Sequence, residues 1–245
     1  MQPVIAIMAG GLGKRMNSDI PKVLHKLFDK PMLVHIIEQS RLLNPIKILI
    51  IVGKYKNIII DTLEEYGIIN DDLLIFVNQP ESLGTGHAMQ CCISELQQYK
   101  QNIVIILSGD VPLLQYDTLN DFITSFNIAK MITTVLDEPY GYGRIIVNNG
   151  FIKIVEEKDC SVEQQNIHNV NCGIYAFNVD ILCKYLPYLT NNNSQKEYYL
   201  TDIIEIIQNN ENIKVDTFMI IKEKQYQIVG VNTPEQLLQL ERLII

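Results

Sequence analysis

Short, almost unbroken apolar runs punctuate this chain at residues 4–8, 46–52, 73–77 and 103–107, each rich in Ile, Leu and Val. Runs of that length without polar alternation predict strands covered on both faces, as in a parallel sheet. Between them, residues 32–43, 57–66 and 87–99 carry helix-length patterns. The β-then-α alternation predicts an α/β fold, a Rossmann-like, doubly wound, mostly parallel sheet. Beyond about residue 125 the pattern changes. Shorter strands are predicted at 131–136, 144–147, 152–156 and 171–177, joined by polar turns, with helices at 180–186, 201–208 and 234–243, the last opened favourably by Pro234. No Pro/Gly/Ser-rich linker divides the 245 residues, so a single domain is expected over 1–245. It has a first half of about 1–125 and a second of about 126–245, a smaller lobe with a C-terminal helix.

In open α/β sheets ligands sit beyond the carboxyl ends of the strands. Three polar segments follow predicted strands there: 10–15, 79–87 and 108–112. The first, in Met8-Ala9-Gly10-Gly11-Leu12-Gly13-Lys14-Arg15-Met16, sets three glycines beside cations, with Pro21-Lys22 close behind. Glycines let backbone N–H groups approach an anion, and Arg15 and Lys22 can neutralise phosphate charge. The spacing excludes two commoner loops. Gly13 is followed by Lys14-Arg15 rather than Lys-Ser or Lys-Thr, and no G-x-G-x-x-G occurs here. A glycine turn with a nearby Arg and Lys is minimum equipment for attack at the phosphorus of a nucleoside triphosphate.

A net charge of −8 argues against nonspecific binding to nucleic acid or an anionic membrane, while leaving room for a local basic pocket. Every apolar run falls well short of the roughly 20 residues that span a bilayer. No basic, apolar and cleavable segment precedes the first strand, and a cytoplasmic location is expected. The five cysteines, Cys91, Cys92, Cys160, Cys172 and Cys183, are scattered without metal spacing and read as reduced thiols. His25, His35, His87 and His168 form no metal spacing either.

The order of several motifs resembles the sugar-phosphate nucleotidyltransferases, and most closely the uridylyltransferase domain of bacterial bifunctional N-acetylglucosamine-1-phosphate uridyltransferases. The resemblance runs over nearly the whole chain. It rests on the glycine segment, Pro21-Lys22-Val23-Leu24-His25, Gln79-Pro80-Glu81-Ser82-Leu83-Gly84-Thr85-Gly86-His87-Ala88, Gly109-Asp110-Val111-Pro112, Gly141-Tyr142-Gly143-Arg144-Ile145, Val155-Glu156-Glu157-Lys158-Asp159, Asn171-Cys172-Gly173, Glu197-Tyr198-Tyr199-Leu200-Thr201-Asp202 and Gly230-Val231-Asn232.

The resemblance implies that Ala9, Gly10 and Gly11 face a nucleotide through their backbone and that Gln79, Gly84 and Thr85 surround uracil. A Gln amide can indeed pair with an imide edge. It also implies that Gly143, Glu156, Asn171, Tyr199 and Thr201 surround the hexose and its acetamido group. Asp110 and Asn232 would hold Mg²⁺, Asp110 also meeting the nucleotide phosphates. Arg15 and Lys22 are then the catalytic cations, joining UTP to N-acetylglucosamine 1-phosphate to give UDP-N-acetylglucosamine and pyrophosphate. The bacterial proteins continue into a left-handed β-helix acetyltransferase; no hexapeptide repeat occurs here, and acetyl transfer is not expected.

Two residues depart from the family pattern: Ser108 stands where Tyr is usual, and Cys172 where Thr is usual. Both leave open a UTP or dTTP transferase for another sugar 1-phosphate, since only second-half residues argue for the acetylated sugar. A catalytically silent nucleotide-sugar-binding module is the alternative of another class. Oligomeric state and protein partners are not legible in these motifs.

Overall fold

The apolar runs of the first half become parallel strands of one sheet in a computed structural model that describes residues 2–11, 13–69 and 72–243. Leu12 of the glycine segment lies outside the described residues, and of Lys14 only the backbone is described. In chain order, β1 (Val4–Met8) leads through a two-stranded ribbon, β2 (Lys26–Leu27) and β3 (Lys30–Pro31), into α1 (Met32–Leu42). Then come β4 (Lys47–Val52), α2 (Lys56–Glu65), β5 (Leu74–Asn78), α3 (Thr85–Gln90), α4 (Ile93–Leu96), β6 (Ile103–Ser108) and α5 (Tyr116–Ile123). The second half holds β7 (Ala129–Val135), β8 (Arg144–Asn148), β9 (Phe151–Val155), α6 (Val162–Gln165), β10 (Asn169–Asn178), α7 (Val179–Tyr185), α8 (Asp202–Glu211), β11 (Asp216–Met219) and α9 (Pro234–Arg242).

The sheet order is β11-β7-β10-β6-β1-β4-β5. Strand β1 lies parallel between β4 and β6, and Met8 is level with both Ile51 and Ser108. That register brings the carboxyl ends of three strands to one line, so the segments after β1 and β6 emerge side by side. The side chains explain why these runs are strands. Val4 and Ala6 point into one core, with Met89, Leu182, Ile203 and Ile207, while Ile5 and Ile7 point into the other, with Leu33, Ile37, Ile59 and Phe122. A strand buried on both faces needs the near-continuous apolar run seen in the sequence. Each fully buried Ile contributes roughly 1.5–3 kcal/mol. Among the described residues, no helix is long and apolar enough to cross a membrane.

Several elements differ from the sequence expectation. The helix predicted at 87–99 starts earlier, at Thr85, and is broken into α3, α4 and a 3₁₀ turn at Gln97–Tyr99. Cys91 N–H keeps the helical bond to His87 O, but Cys92 N–H turns to Met89 O at 3.0 Å, tightening the chain and ending the helix. Helix α5 and strand β11 were not foreseen. β11 is a short edge strand with three exposed positions, so its apolar signal is weak.

The second half also extends the main sheet, because β10 runs antiparallel to both β6 and β7 while β11 is parallel to β7. The β8–β9 hairpin joins the same sheet off its main line, β8 pairing antiparallel with β10 at Arg144 and helix α8 packing on β9. Gln208 of α8 fastens it with both ends of its amide, accepting from Ile152 N–H at 3.0 Å and donating to Ile152 O at 2.6 Å. Register along β10 shifts between Asn171 and Tyr175, at Gly173 with φ +70°. The bulge turns residues 171–173 toward the end of the sheet where β1 and β6 finish.

Candidate active site

Two adjoining cavities of about 310 and 350 Å³ lie at that end of the sheet. Met8, Thr85, Ser108 and Asp110 belong to the walls of both, so they mark the passage between them. The first cavity adds Gly10, Gly11, Lys22, Gln79, Gly84 and Glu197. Lining the second are Arg15, Tyr142, Gly143, Glu156, Asn171, Thr201 and Asn232 among others.

A compact polar cluster occupies the passage. Lys22 Nζ donates to Asp110 Oδ2 and, at 3.1 Å, to Asn232 Oδ1, which also accepts from Arg15 Nη2 at 3.0 Å. The other carboxylate oxygen, Asp110 Oδ1, accepts from Ser108 Oγ at 2.6 Å. Four predicted residues distant in sequence therefore meet at one point. Local chain geometry makes this possible. Gly13 sits at φ +71°, and a Cβ there would stand 2.6 Å from Lys22 Cβ, so only glycine lets the loop pass over the lysine stem. Val231 N–H donates to Asp110 O at 2.9 Å, and Gln236 of α9 accepts from Asn232 N–H at 2.7 Å, which together bring Asn232 to Asp110.

Gln79 follows β5, its N–H bonded to Val52 O at 2.7 Å. Its side-chain Nε2 donates to Gly84 O at 3.1 Å and lies 3.3 Å from His87 Nδ1. The amide is thus fixed on the wall of the first cavity beside Gly10. Gly84 has φ +107°, and a Cβ would fall 2.6 Å from Tyr198 O. That close approach is held by Tyr198 N–H to Leu83 O at 2.8 Å and Gly86 N–H to Tyr198 O at 2.7 Å. Thr85 Oγ1 accepts from Leu200 N–H at 3.1 Å. The first-half segment 83–86 is thereby stitched to the second-half segment 198–200.

In the second cavity Glu156 Oε1 accepts from Thr201 Oγ1 at 2.8 Å. Burial holds the Glu156 carboxyl above the usual carboxylate range, repulsion from Asp202, Asp159 and Glu197 adds to the effect, and the Thr201 hydroxyl partly offsets it. The native state therefore binds the Glu156 proton more tightly than the unfolded chain, and stability falls as pH rises through this window. Glu156→Gln should raise the melting temperature at pH 7–8, with the gain fading on acidification below the ordinary value of 4.5. A gain of equal size at pH 4 and pH 8 in thermal melts would refute that linkage. Asn171 Nδ2 donates to Tyr175 OH at 2.7 Å and its Oδ1 accepts from Gly173 N–H at 3.1 Å, which locks the amide on the bulge.

Two expected residues stand apart. Ala9 is buried and its N–H is committed to Ile51 O at 2.8 Å, so the turn offers Gly10 and Gly11 to the cavity but not Ala9. Tyr199 lines neither cavity, and its hydroxyl accepts from Gln195 Nε2 at 2.9 Å. Sequence reasoning also missed participants. Ser108, read as a family departure, orients Asp110. Glu197 lines the first cavity, and Tyr142 lines the second, close to the Gly230 backbone. The hydroxyl of Ser108, two residues before a strand-end Asp, was the available signal.

Asp110 and Asn232 present two hard oxygens, one anionic, to a point where a positive charge already sits. Among the described residues no group of three or more His, Cys, Asp or Glu could hold a metal alone. Such a pair suits a cation like Mg²⁺, which keeps most of its octahedron for water and substrate phosphates.

A doubly wound sheet whose strand ends gather a glycine turn, two cations and a carboxylate–amide pair is equipped to hold and screen phosphate charge. Residues 5–148 match the model of the MobA-like NTP transferase domain, and the chain belongs to that family. It is 43% identical over 244 residues to a probable UDP-N-acetylglucosamine pyrophosphorylase of Acanthamoeba polyphaga mimivirus, covering 97% of this chain and 94% of the relative. It is 38% identical over 244 residues to the bifunctional protein GlmU of Clostridium beijerinckii, covering 97% of this chain but 51% of that protein. The chain thus spans about half the length of such bifunctional relatives. Among solved structures, a UDP-glucose pyrophosphorylase complexed with UDP-glucose superposes with a TM-score of 0.75 at 16% identity, covering 100% of this chain and 98% of the other. A putative glucose-1-phosphate thymidylyltransferase from Bacillus anthracis gives 0.73 at 19% identity, covering 99% and 95%. These likenesses bear out the fold class and the family drawn from the motifs.

Proposed function

We propose that this chain is a UDP-N-acetylglucosamine pyrophosphorylase, converting UTP and N-acetylglucosamine 1-phosphate into UDP-N-acetylglucosamine and pyrophosphate. The observation that carries the reading is the meeting of Arg15, Lys22, Asp110 and Asn232 in the passage between two cavities. The mimiviral and bacterial relatives carry names of the same activity. In this reading residues of about 1–125 supply most of the nucleotide side and those of about 126–245 the sugar side.

UTP lies with its base in the first cavity, against Gln79, Gly84 and Thr85, and its phosphates over Gly10 and Gly11. The sugar lies in the second, its hydroxyls met by Glu156 and Thr201, and its acetamido group by Asn171 and the Gly143 backbone. A phosphate oxygen of the sugar 1-phosphate attacks the α-phosphorus, forming one P–O bond while the bond to the β-phosphate oxygen breaks. Pyrophosphate leaves with that electron pair. The attacking oxygen is already anionic, so alignment and charge screening replace a general base. Lys22 screens the α-phosphoryl oxygens and Arg15 the departing pyrophosphate. Mg²⁺, held by Asp110 and Asn232, would supply further charge neutralisation when bound. The five free cysteines accord with a cytoplasmic setting.

Pyrophosphate release from UTP and Mg²⁺ tests this directly, with the 1-phosphates of glucose, galactose and their N-acetylated forms compared. EDTA-sensitive turnover preferring N-acetylglucosamine 1-phosphate is the expected result. A preference for glucose 1-phosphate would keep the chemistry and overturn the sugar assignment. UTP binding without turnover on any sugar would identify a silent binding module.

A further inference from the structure

Behind the wall of the second cavity a buried arginine pairs with a partly exposed glutamate, both outside the residues assigned above. Arg144, at the start of β8, has a side chain only 2% exposed, and its Nη1 lies 2.8 Å from Glu157 Oε2. The same guanidinium donates to Tyr142 O and, through Nη2, to Gln165 O at 3.3 Å, the latter on α6. Glu157 Oε2 in turn accepts from Gly141 N–H at 3.0 Å. Residues 141 and 142 are therefore gripped from beneath by one cation and its partner carboxylate, and Asn171 N–H holds the far end by bonding Gly143 O at 2.9 Å. All of residues 140–143 line the cavity.

Stability alone does not account for this arrangement. Burying an ion pair costs desolvation that its attraction barely repays, and apolar residues of similar size are often as stable or more so. Arg144 even leaves its buried Nε without a partner. What the pair provides that an apolar contact cannot is directional bonding: a planar fork reaching a carboxylate and two carbonyls at once.

We infer that Arg144, acting with Glu157, is a positioning residue that fixes the 140–143 loop as the sugar-facing wall of the site. The inference rests on the proposed function, since it assigns the second cavity to the sugar 1-phosphate. Arg144 itself touches no substrate; it acts through Tyr142 and Gly141.

The test compares Arg144→Lys, Arg144→Met and the double variant Arg144→Met/Glu157→Leu with the unaltered chain, varying UTP and the sugar 1-phosphate separately. The double variant removes both charges and so preserves folding if the single Met variant does not. Expected is a fall of about 10²-fold in kcat/KM for the sugar 1-phosphate, the scale of a wall displaced by about 1 Å, with KM for UTP within about twofold. Arg144→Lys, which can keep the charge on Glu157 but not all the carbonyl bonds, recovers part of the loss. A folded double variant with unchanged sugar parameters, or equal losses on the UTP and sugar sides, would overturn the inference. Should the unaltered chain turn over no sugar 1-phosphate, the functional reading fails instead. Amide hydrogen exchange at 141–143 then reads the clamp itself, with faster exchange in the variants expected and unchanged exchange overturning it.

Discussion

Replacing Lys22 by alanine should lower kcat by about 10²–10³, the scale of losing one preorganised transition-state contact. Among the described side chains, Lys22 is the cation bonded to Asp110, while Arg15 approaches the same cluster through Asn232. Its stem is held under Gly13, where a Cβ would stand 2.6 Å from Lys22 Cβ. The same substitution should have the opposite effect on metal binding. In the free protein the Lys22 ammonium bonds both Asp110 Oδ2 and Asn232 Oδ1, the two oxygens a divalent cation would use. Without it, Mn²⁺ binding in the absence of nucleotide should tighten while turnover collapses. Steady-state kinetics beside Mn²⁺ titration by electron paramagnetic resonance would read both. A folded variant with near-normal kcat would remove Lys22 from the chemistry.

Asp110→Ala should be at least as damaging, with kcat/KM reduced by about 10³. Asp110 is the carboxylate at the passage, bonded to Ser108 through one oxygen and to Lys22 through the other. Alanine would remove the anionic ligand and leave Lys22 and Arg15 sharing only the neutral Asn232 oxygen. Asp110→Asn separates shape from charge, because it keeps an oxygen in place at zero charge. It should bind UTP yet remain slow, responding only to much higher Mg²⁺. If Asp110→Asn matched the unaltered chain at ordinary Mg²⁺, the proposed metal role would fall.

The runs at 4–8 and 103–107 were legible because a strand covered on both faces tolerates almost no polar residue, and that constraint is written locally. The passage residues were legible for a different reason: glycine, cations and a strand-end carboxylate carry chemistry that spacing reveals. What escaped was set by tertiary contact. Helix α3 starts at Thr85 where its first turn meets the Tyr198 backbone, a partner more than a hundred residues away in sequence. The resemblance sets Tyr199 beside the sugar, while the bond its hydroxyl accepts from Gln195 is a contact that no spacing reveals. Glu157 lay in a mixed-charge run that reads as a solvated turn, and only the fold shows that its partner is a buried arginine.

The stitching of 83–86 to 198–200 has a thermodynamic corollary. One seam forms part of the wall of the first cavity at Gly84 and Thr85, and leads directly into Leu200 and Thr201 of the second. In the proposed reading the seam borders both substrates, so any factor by which the nucleotide tightens sugar binding must equal the factor by which the sugar tightens nucleotide binding. Measuring the affinity for UTP with and without the sugar 1-phosphate, and the reverse, reads that single factor from both sides of a seam held by two backbone–backbone bonds and one to the Thr85 hydroxyl.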